Sequence, residues 1–387
     1  MKVALISHLF PTELHPIQGK FIKDQAELIQ SSDATTNVSV FVLTPTPIPF
    51  TKRAVESKST FETSGDLPER VHYLSIPKKK LPFITQFSLV KIFKRILKDQ
   101  SFDLIHVHFL YPGGLVLPLL KKRGVKTAIT IHGGDWYRII HLPFFKRMVE
   151  KALTSADQIF VVGPQLKKDI SIYFPALSFK IFQINNFIDE KIYTLPSKSD
   201  KIQAKERMGW DVDKKHFLCI ANNRPEKGLD ILSNAFSDKN SQFEDIKVHI
   251  VGNMNDSFKE FEFPFIPCFD IHPAMPPSKL IDYYYAADAY IFPSRKEGFG
   301  LSLIEATATG LPVVATPAGI ASDFVSDKTG ILCSDFAPST LRDSISKLEQ
   351  TLTTYDSEEI RALTIKNFGS QAFLSKLITR YKNIIYD

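Results

Sequence analysis

The chain has 387 residues, 44% of them hydrophobic and 23% charged, and carries 48 Lys and Arg against 42 Asp and Glu. That length exceeds what one hydrophobic core usually fills, so two domains are expected. No apolar run reaches the roughly 18 to 20 residues needed to span a bilayer. The three cysteines, Cys219, Cys268 and Cys333, have no CxxC partner and no histidine at metal spacing, which argues against a zinc site or a disulfide framework and for a reducing, cytoplasmic setting.

The opening "MKVALISHLF" is too short in its apolar part for a secretory leader and reads as a first strand. Further strands are expected at "VSVFVLTP", "LIHVHFL", "TAITIHG" and "QIFVVG". Helical spacing falls between them at "GKFIKDQAELIQ", "FSLVKIFKRILKD" and "HLPFFKRMVEKALTSA". Alternation of this kind implies a doubly wound α/β domain with a parallel sheet. A polar, proline-containing stretch, "TLPSKSDK", reads as a linker near residues 190–200. The pattern then restarts, with strands at "HFLCIAN", "KVHIVGN", "AYIFPS" and "PVVAT" and helices at "GLDILSNAFSD", "SKLIDYYYAAD" and "LSLIEATATG". Ligands of such sheets bind outside the carboxyl ends of the strands, so a site in a cleft between two facing domains is expected.

Charge is unevenly shared. Residues 1–180 hold 25 Lys and Arg against 14 Asp and Glu, a balance of +11, while the remainder holds 23 against 28, a balance of −5. The basic half suits nucleic acid, an acidic membrane surface or a phosphorylated lipid substrate, and an ordinary solvated surface would carry the same sign. In "QFSLVKIFKRILKDQ", Phe87, Val90, Phe93, Ile96 and Leu97 fall at helical spacing beside Lys91, Lys94, Arg95 and Lys98, and Lys78, Lys79 and Lys80 precede them. Such a helix either packs its stripe into a core or lies on an anionic membrane. Together with "KKRGVK" and "FFKR", the pattern favours peripheral attachment at the inner face of the cytoplasmic membrane. With the phenylalanines expected on a buried face and no nucleic-acid motif present, nucleic-acid binding is not expected.

The densest chemistry lies in "SRKEGFGLSLIEATATGLPVVATPAGI", residues 294–320. "AYIFPS" ends a strand, "RKEGFG" turns, and the helix that follows closes at Gly310 before Pro312. Glu297 is then expected at the strand end and Glu305 in the first turns of the helix, both within reach of one pocket. Gly298 and Gly300 let the backbone approach a ligand, and the amides of Phe299, Gly300 and Leu301 at a helix N-terminus suit a phosphate. Carboxylates accept paired hydrogen bonds from vicinal hydroxyls, so the combination fits a nucleotide sugar. The same residues also fit a plainer role, Glu305 as a helix-start glutamate favoured by the macrodipole and Glu297 as a solvated loop residue.

"EGFGLSLIEATATGLPVVATPAGI" resembles the E-x7-E signature of the retaining GT-B-fold glycosyltransferases of family 4. "RPEKGLDIL", "IHGGD" and "NNFIDEKIY" resemble that family's phosphate-binding segment, amino-domain loop and interdomain stretch. "FPTELHPIQGKFIKDQAELI" is similar to members that build envelope polysaccharides, teichuronic-acid type enzymes among them. The resemblance implies an α/β fold of two doubly wound, Rossmann-like domains facing each other across a cleft: 1–188 on the acceptor side, 189–366 on the nucleotide-sugar side, and a helix in 367–387 that crosses back.

It also implies roles for individual residues. Glu297 would meet the donor sugar's hydroxyls, Glu305 the ribose, Lys227 the diphosphate, and His132 the sugar near the reacting carbon, while Gly19 and Asp135 belong to the acceptor side. The family usually has an arginine five residues before the lysine. Here that position is Asn222, and Arg224 is the nearby candidate for the second cation.

The implied activity is transfer of a sugar, with retention and without a metal or other cofactor, from a nucleotide-diphosphate sugar to a saccharide or lipid-linked acceptor in cell-envelope glycan synthesis. Alternatives on the same fold are a 2-epimerase, a sugar phosphorylase and a non-catalytic binding subunit.

Overall fold

The computed structural model describes residues 1–13, 18–33, 35–46, 68–74, 82–237, 243, 245–254 and 266–386. The chain divides into two compact units. Unit 1 comprises Met1–Val162, Leu166–Ile184 and Leu374–Asp387, and unit 2 comprises Gly163–Gln165 and Asn185–Phe373.

Unit 1 is built on β1 (Lys2–Ser7), β2 (Asn37–Thr46), β3 (Glu69–Leu74), β4 (Leu104–His108), β5 (Thr127–Ile131), β6 (Gln158–Val161) and β7 (Ile181–Gln183). They form one parallel sheet in the order β3-β2-β1-β4-β5-β6-β7. The central strands "LIHVH" and "TAITI" are buried along their whole length, as expected where helices cover both faces of a parallel sheet. Strand order reverses between β1 and β4, which pair with Leu5 opposite His106.

Unit 2 repeats the plan with β8 (Lys215–Ile220), β9 (Ile246–Val251), β10 (Phe269–His272), β11 (Ala289–Phe292), β12 (Val313–Ala315) and β13 (Gly330–Leu332), all parallel in the order β10-β9-β8-β11-β12-β13. Its core gathers Phe217 and Cys219 of β8, Ile250 of β9, Ile291 of β11 and Val314 of β12 with helix residues such as Leu232, Leu341 and Ile345. The reversal here falls between β8 and β11. Both sheets are therefore doubly wound, the Rossmann-like pattern read from the sequence.

Three features differ from the sequence reading. The strands it did not single out, β3, β7, β10 and β13, are the four sheet edges. An edge strand pairs on one side only, so it can be short and mixed in composition, and it leaves a weak alternation signal. "TLPSKSDK" is not linker throughout: Ser197 caps the helix Lys198–Met208, accepting from the Asp200 amide while the Asp200 carboxylate accepts from the Ser197 amide. This is a reciprocal capping box, and the S-x-x-D spacing carried the signal.

The third difference concerns the helix Pro82–Asp99. It buries Thr85, Leu89 and, as expected, Phe93, but Phe87 is 73% exposed, so its expected burial is corrected, and the neighbouring Phe83 is 60% exposed. The core face is set by residues 85, 89 and 93, four apart, which turns Phe83 and Phe87 outward. Lys78, Lys79 and Lys80 lie outside the described residues. Among the described residues no helix is long and apolar enough to cross a membrane.

The last helix, Ser370–Tyr386, starts in unit 2 and ends in unit 1. At its start, the amide and hydroxyl of Ser370 donate to the Glu190 carboxylate at 3.0 and 2.9 Å. In unit 1 it buries Leu377, Tyr381 and Ile384. The Tyr381 hydroxyl lies 2.5 Å from His106 Nδ1, and the Arg380 guanidinium lies 3.7 Å from the centre of the Phe182 ring.

Candidate functional site

In unit 2 the chemistry expected from the sequence gathers at the carboxyl ends of β8 and β11, the place where strand order reverses. After β8 the chain makes a short turn, Pro225–Lys227, closed by Gly228 at φ 65°. A side chain at Gly228 would put its Cβ 2.0 Å from the Pro293 carbonyl oxygen, so only glycine lets the turn rest on the end of β11. The loop after β11 holds that turn from the other side. The amides of Arg295 and Lys296 donate to the Glu226 carbonyl at 2.8 and 3.2 Å, and the Arg295 guanidinium donates to the Pro225 carbonyl and forks onto the Asp230 carboxylate. Lys227 is thereby fixed with Nζ 2.5 Å from Glu297 Oε1, which also accepts from the buried Ser294 hydroxyl at 3.2 Å.

Gly298 follows, half-buried, and Phe299 is buried with its carbonyl accepting from Ile320 N at 2.7 Å. Gly300, at φ 108°, starts the helix Leu301–Ala308 without a side-chain cap. Its missing side chain leaves room for the Phe292 ring, which a Cβ would approach to 3.0 Å. The first amides of a helix have no acceptor within it, and they carry its positive end, so Leu301 and its neighbours present an anion-friendly terminus at the strand-order reversal.

Glu305, one turn further on, is partly buried. Its Oε2 accepts from the Tyr284 hydroxyl at 2.7 Å, and Tyr193 also hydrogen-bonds the carboxylate. Burial pushes its pKa up, and the two tyrosine hydrogen bonds pull it back down.

Asn222 uses its side chain structurally, with Oδ1 accepting from Asn253 N at 2.9 Å and tying the end of β8 to the end of β9. Arg224 begins the Pro225–Lys227 turn, its amide donating to the Asn222 carbonyl at 2.8 Å. Structure thus brings Glu297, Lys227, Gly298, Phe299, Gly300, Leu301, Glu305, Asn222 and Arg224 onto one end of one sheet. It adds Ser294, which bonds Glu297 within the same loop, and Arg295, Asp230, Tyr284 and Tyr193, which sequence reasoning missed because they act through contacts between distant segments.

In unit 1 the corresponding reversal lies between β1 and β4. Gly19 (φ 74°) heads the helix Lys20–Gln30, and a Cβ there would fall 2.4 Å from the Leu9 carbonyl carbon, so the helix start rests on the loop after β1. His132 follows β5, with Nε2 3.1 Å from Nδ1 of the buried His108. Its ring packs against those of Phe109 and Phe21, at 4.5 and 4.9 Å between centres, and the His8 ring sits 4.6 Å from Phe109. Phe109 holds φ 73°, a left-handed backbone that costs a non-glycine residue about 1–2 kcal/mol. Asp135 clamps this loop, accepting from the amides of Leu110 at 2.9 Å and His132 at 3.0 Å. Burial raises its pKa against those amides.

Burial, then the neighbouring imidazoles, hold His108 and His132 well below the ordinary histidine pKa, so both are neutral at pH 7. Among the described residues His108 Nε2 is buried without a hydrogen-bond partner, which is best met by a bare lone pair. His108 Nδ1–H then donates to His132 Nε2, leaving the His132 proton on Nδ1. His8, His108, Phe109 and Phe21 were also missed from sequence, although the alternation in "HVHFL" sets His106 and His108 on one face of the strand, with ring centres 4.3 Å apart. Among the described residues no group of three or more His, Cys, Asp or Glu has the arrangement of a metal site.

Comparison with known proteins bears on the fold and on the chain's relatives. A family model described as glycosyl transferases group 1 matches residues 200–357, and one described as Glycosyltransferase Family 4 matches residues 34–191. The putative teichuronic acid biosynthesis glycosyltransferase TuaC of Bacillus subtilis is 23% identical over 382 residues, covering 93% of this chain and 90% of that protein. Among solved structures, sucrose-phosphate synthase from Thermosynechococcus elongatus superposes with a TM-score of 0.75 at 20% identity, covering 100% of this chain and 99% of the other. Anabaena HepE in complex with UDP gives 0.72 at 15% identity, with 99% and 100% covered. The chain therefore has the GT-B fold and is related to the group 1 and family 4 glycosyltransferases.

Proposed function

We propose that this relative of the group 1 and family 4 glycosyltransferases moves a sugar from a nucleotide-diphosphate sugar to a saccharide or lipid-linked acceptor, with retention at the anomeric carbon. The observation that carries the reading is the meeting of Lys227, Glu297, Glu305 and a helix N-terminus where strand order reverses in unit 2. A nucleotide sugar presents a ribose diol, two phosphates and sugar hydroxyls in that order. Glu305 suits the first, Lys227 and the amides of Phe299, Gly300 and Leu301 the second, and Glu297 the third.

On this reading, donor binding draws Lys227 from its Glu297 partner onto the diphosphate. The bond between the anomeric carbon and the diphosphate oxygen breaks, the acceptor oxygen bonds to that carbon from the same face, and its proton passes to the departing diphosphate. Lys227 offsets the negative charge that grows on the leaving group. Arg224 is assigned the second cation in place of the amide at Asn222, and neutral His132 is assigned the donor sugar, with Gly19 and Asp135 shaping the acceptor side. HepE was solved with UDP, which makes a uridine donor the first to try.

Envelope polysaccharide synthesis in the cytoplasm, at the inner membrane face, is proposed on the likeness to TuaC and on the outer face of the helix Pro82–Asp99. There Phe83 and Phe87 are exposed in line with Lys91, Lys94, Arg95 and Lys98, a pairing suited to an anionic bilayer.

The test is product analysis by NMR with UDP-, GDP- and ADP-sugars and simple saccharide acceptors. Acceptor-dependent release of nucleotide, with the donor's anomeric configuration kept in the product, is expected. Turnover without an acceptor would point to a 2-epimerase, a requirement for free phosphate to a phosphorylase, and binding without turnover to a non-catalytic subunit; each would overturn the assignment.

A further inference from the structure

The reading of Glu305 as the ribose contact raises a physical difficulty. An ionised carboxylate, with both oxygens free to accept, holds two hydroxyls better than the neutral acid, yet Glu305 sits where burial favours its neutral form. Around it are mainly aromatic hydroxyls. Tyr284, from the helix Pro277–Ala286, is completely buried and donates to Oε2 at 2.7 Å. Tyr193, 5% exposed, reaches the same carboxylate, and its ring meets that of Tyr284 edge-on with centres 5.8 Å apart. Tyr290 of β11 is the third nearby phenol, with its hydroxyl 3.4 Å from Ile220 N.

The helix Ser357–Phe368 packs on the helix of Glu305 and contributes Arg361. That guanidinium is taken up by the carbonyls of Tyr193, Ala308 and Glu190, so it fixes the Tyr193 backbone to the far end of Glu305's own helix. Arg361 is thus engaged with backbone carbonyls, and Tyr284 and Tyr193 are the side chains that hydrogen-bond the charged form of Glu305 among the described residues.

We propose that Tyr284 and Tyr193 are positioning residues for the donor, which hold the Glu305 carboxylate in place and ready to accept a ribose diol. The proposal rests on the donor-site reading above and adds to it the means by which a partly buried acid stays an acceptor. Each phenol has a second consequence. By donating to Glu305 it occupies one lone pair and orients the others, and its own ionisation is suppressed by burial and by the adjacent carboxylate, so it stays a donor through the physiological range.

The test compares wild type, Tyr284→Phe, Tyr193→Phe, the double variant and Glu305→Gln. Calorimetry with UDP, GDP and ADP from pH 5 to 9 gives the affinity profile, and melting curves report folding. Carbon-13 NMR of the glutamate carboxyls, with the Glu305 signal assigned by its loss in Glu305→Gln, follows its titration without any ligand. Each Phe variant keeps the ring and should fold. The acid limb of nucleotide affinity and the Glu305 titration should move together to higher pH with each hydroxyl lost, so that affinity falls by up to about tenfold on the acid limb and holds at high pH.

Uniform weakening at every pH with an unmoved Glu305 titration would mean the tyrosines only fill space, and would overturn the proposal. Unchanged nucleotide affinity in Glu305→Gln would instead overturn the donor-site reading on which it rests, whatever the titration shows.

Discussion

At the scale of single residues, the decisive pair is Lys227 and Glu297, seven residues beyond one strand's end and five beyond another's, brought to 2.5 Å by a turn and a loop that grip each other. Lys227→Ala should lower kcat by about 10²–10³ in a transfer assay, because a fixed cation facing a developing anion is removed, while the melting temperature should move little. A loss of less than tenfold would mean that the diphosphate is held elsewhere. Glu297, Gly300 and Glu305 were legible in the sequence because all three belong to one strand-turn-helix segment. Tyr284 and Tyr193 were not: nothing in "SKLIDYYYAAD" distinguishes the one tyrosine of three that points at a glutamate 21 positions later. Asn222 was legible as a departure from the family pattern, but its tie to Asn253 needs the register of β8 on β9 to be seen.

At the scale of elements, the Pro225–Lys227 turn shows how a cation is aimed without a regular helix beneath it. Arg295→Ala removes the fork onto Asp230 and the bond to the Pro225 carbonyl, leaving Lys227 present but loosely placed. Catalysis should fall by about 10- to 100-fold, less than for Lys227→Ala, since small misplacements cost that much. Steady-state kinetics of the two variants side by side decide the order. The helix Pro82–Asp99 carries a separate expectation. Vesicles containing anionic lipid should retain the protein at low salt and release it at high salt, since each nearby cation contributes about 1 kcal/mol at such a surface, and Phe83→Ala with Phe87→Ala should weaken retention by removing the apolar area that inserts. Flotation of the protein with neutral vesicles only, or with none, would remove the membrane assignment. Periodicity exposed this helix in the sequence but not its rotation, because Phe83, Phe87 and Phe93 look alike until the buried residues Thr85, Leu89 and Phe93 are known.

At the scale of the whole molecule, two doubly wound sheets were readable from the repeated alternation of β-branched runs and helical spacing, whereas their edges were not, for the reason that edge strands need little pattern to pair. Buried histidines give both units a common response to acid. Burial holds His106 at about 3 and His249 at about 2, against an unfolded value near 6.5. The unfolded chain therefore binds more protons below about pH 6.5, so stability is complete above that pH and falls as the pH drops. The slope is up to about 1.4 kcal/mol per pH unit for each such histidine. Denaturant melts at pH 7.5 and 5.5 should reveal this, and equal stability at both would mean that these imidazoles are hydrated in solution.

The donor site itself is open to one direct measurement, thermal stabilisation by UDP, GDP, ADP and their common sugar conjugates, with wild type beside Lys227→Ala and Glu305→Ala. A ligand at 100 times its dissociation constant raises stability by about 2.7 kcal/mol, which is a readily seen shift in Tm. The expected result is a shift with one nucleotide class that is lost in both variants. No shift with any nucleotide, or one that both variants retain, would contradict a nucleotide-sugar site at the carboxyl ends of β8 and β11.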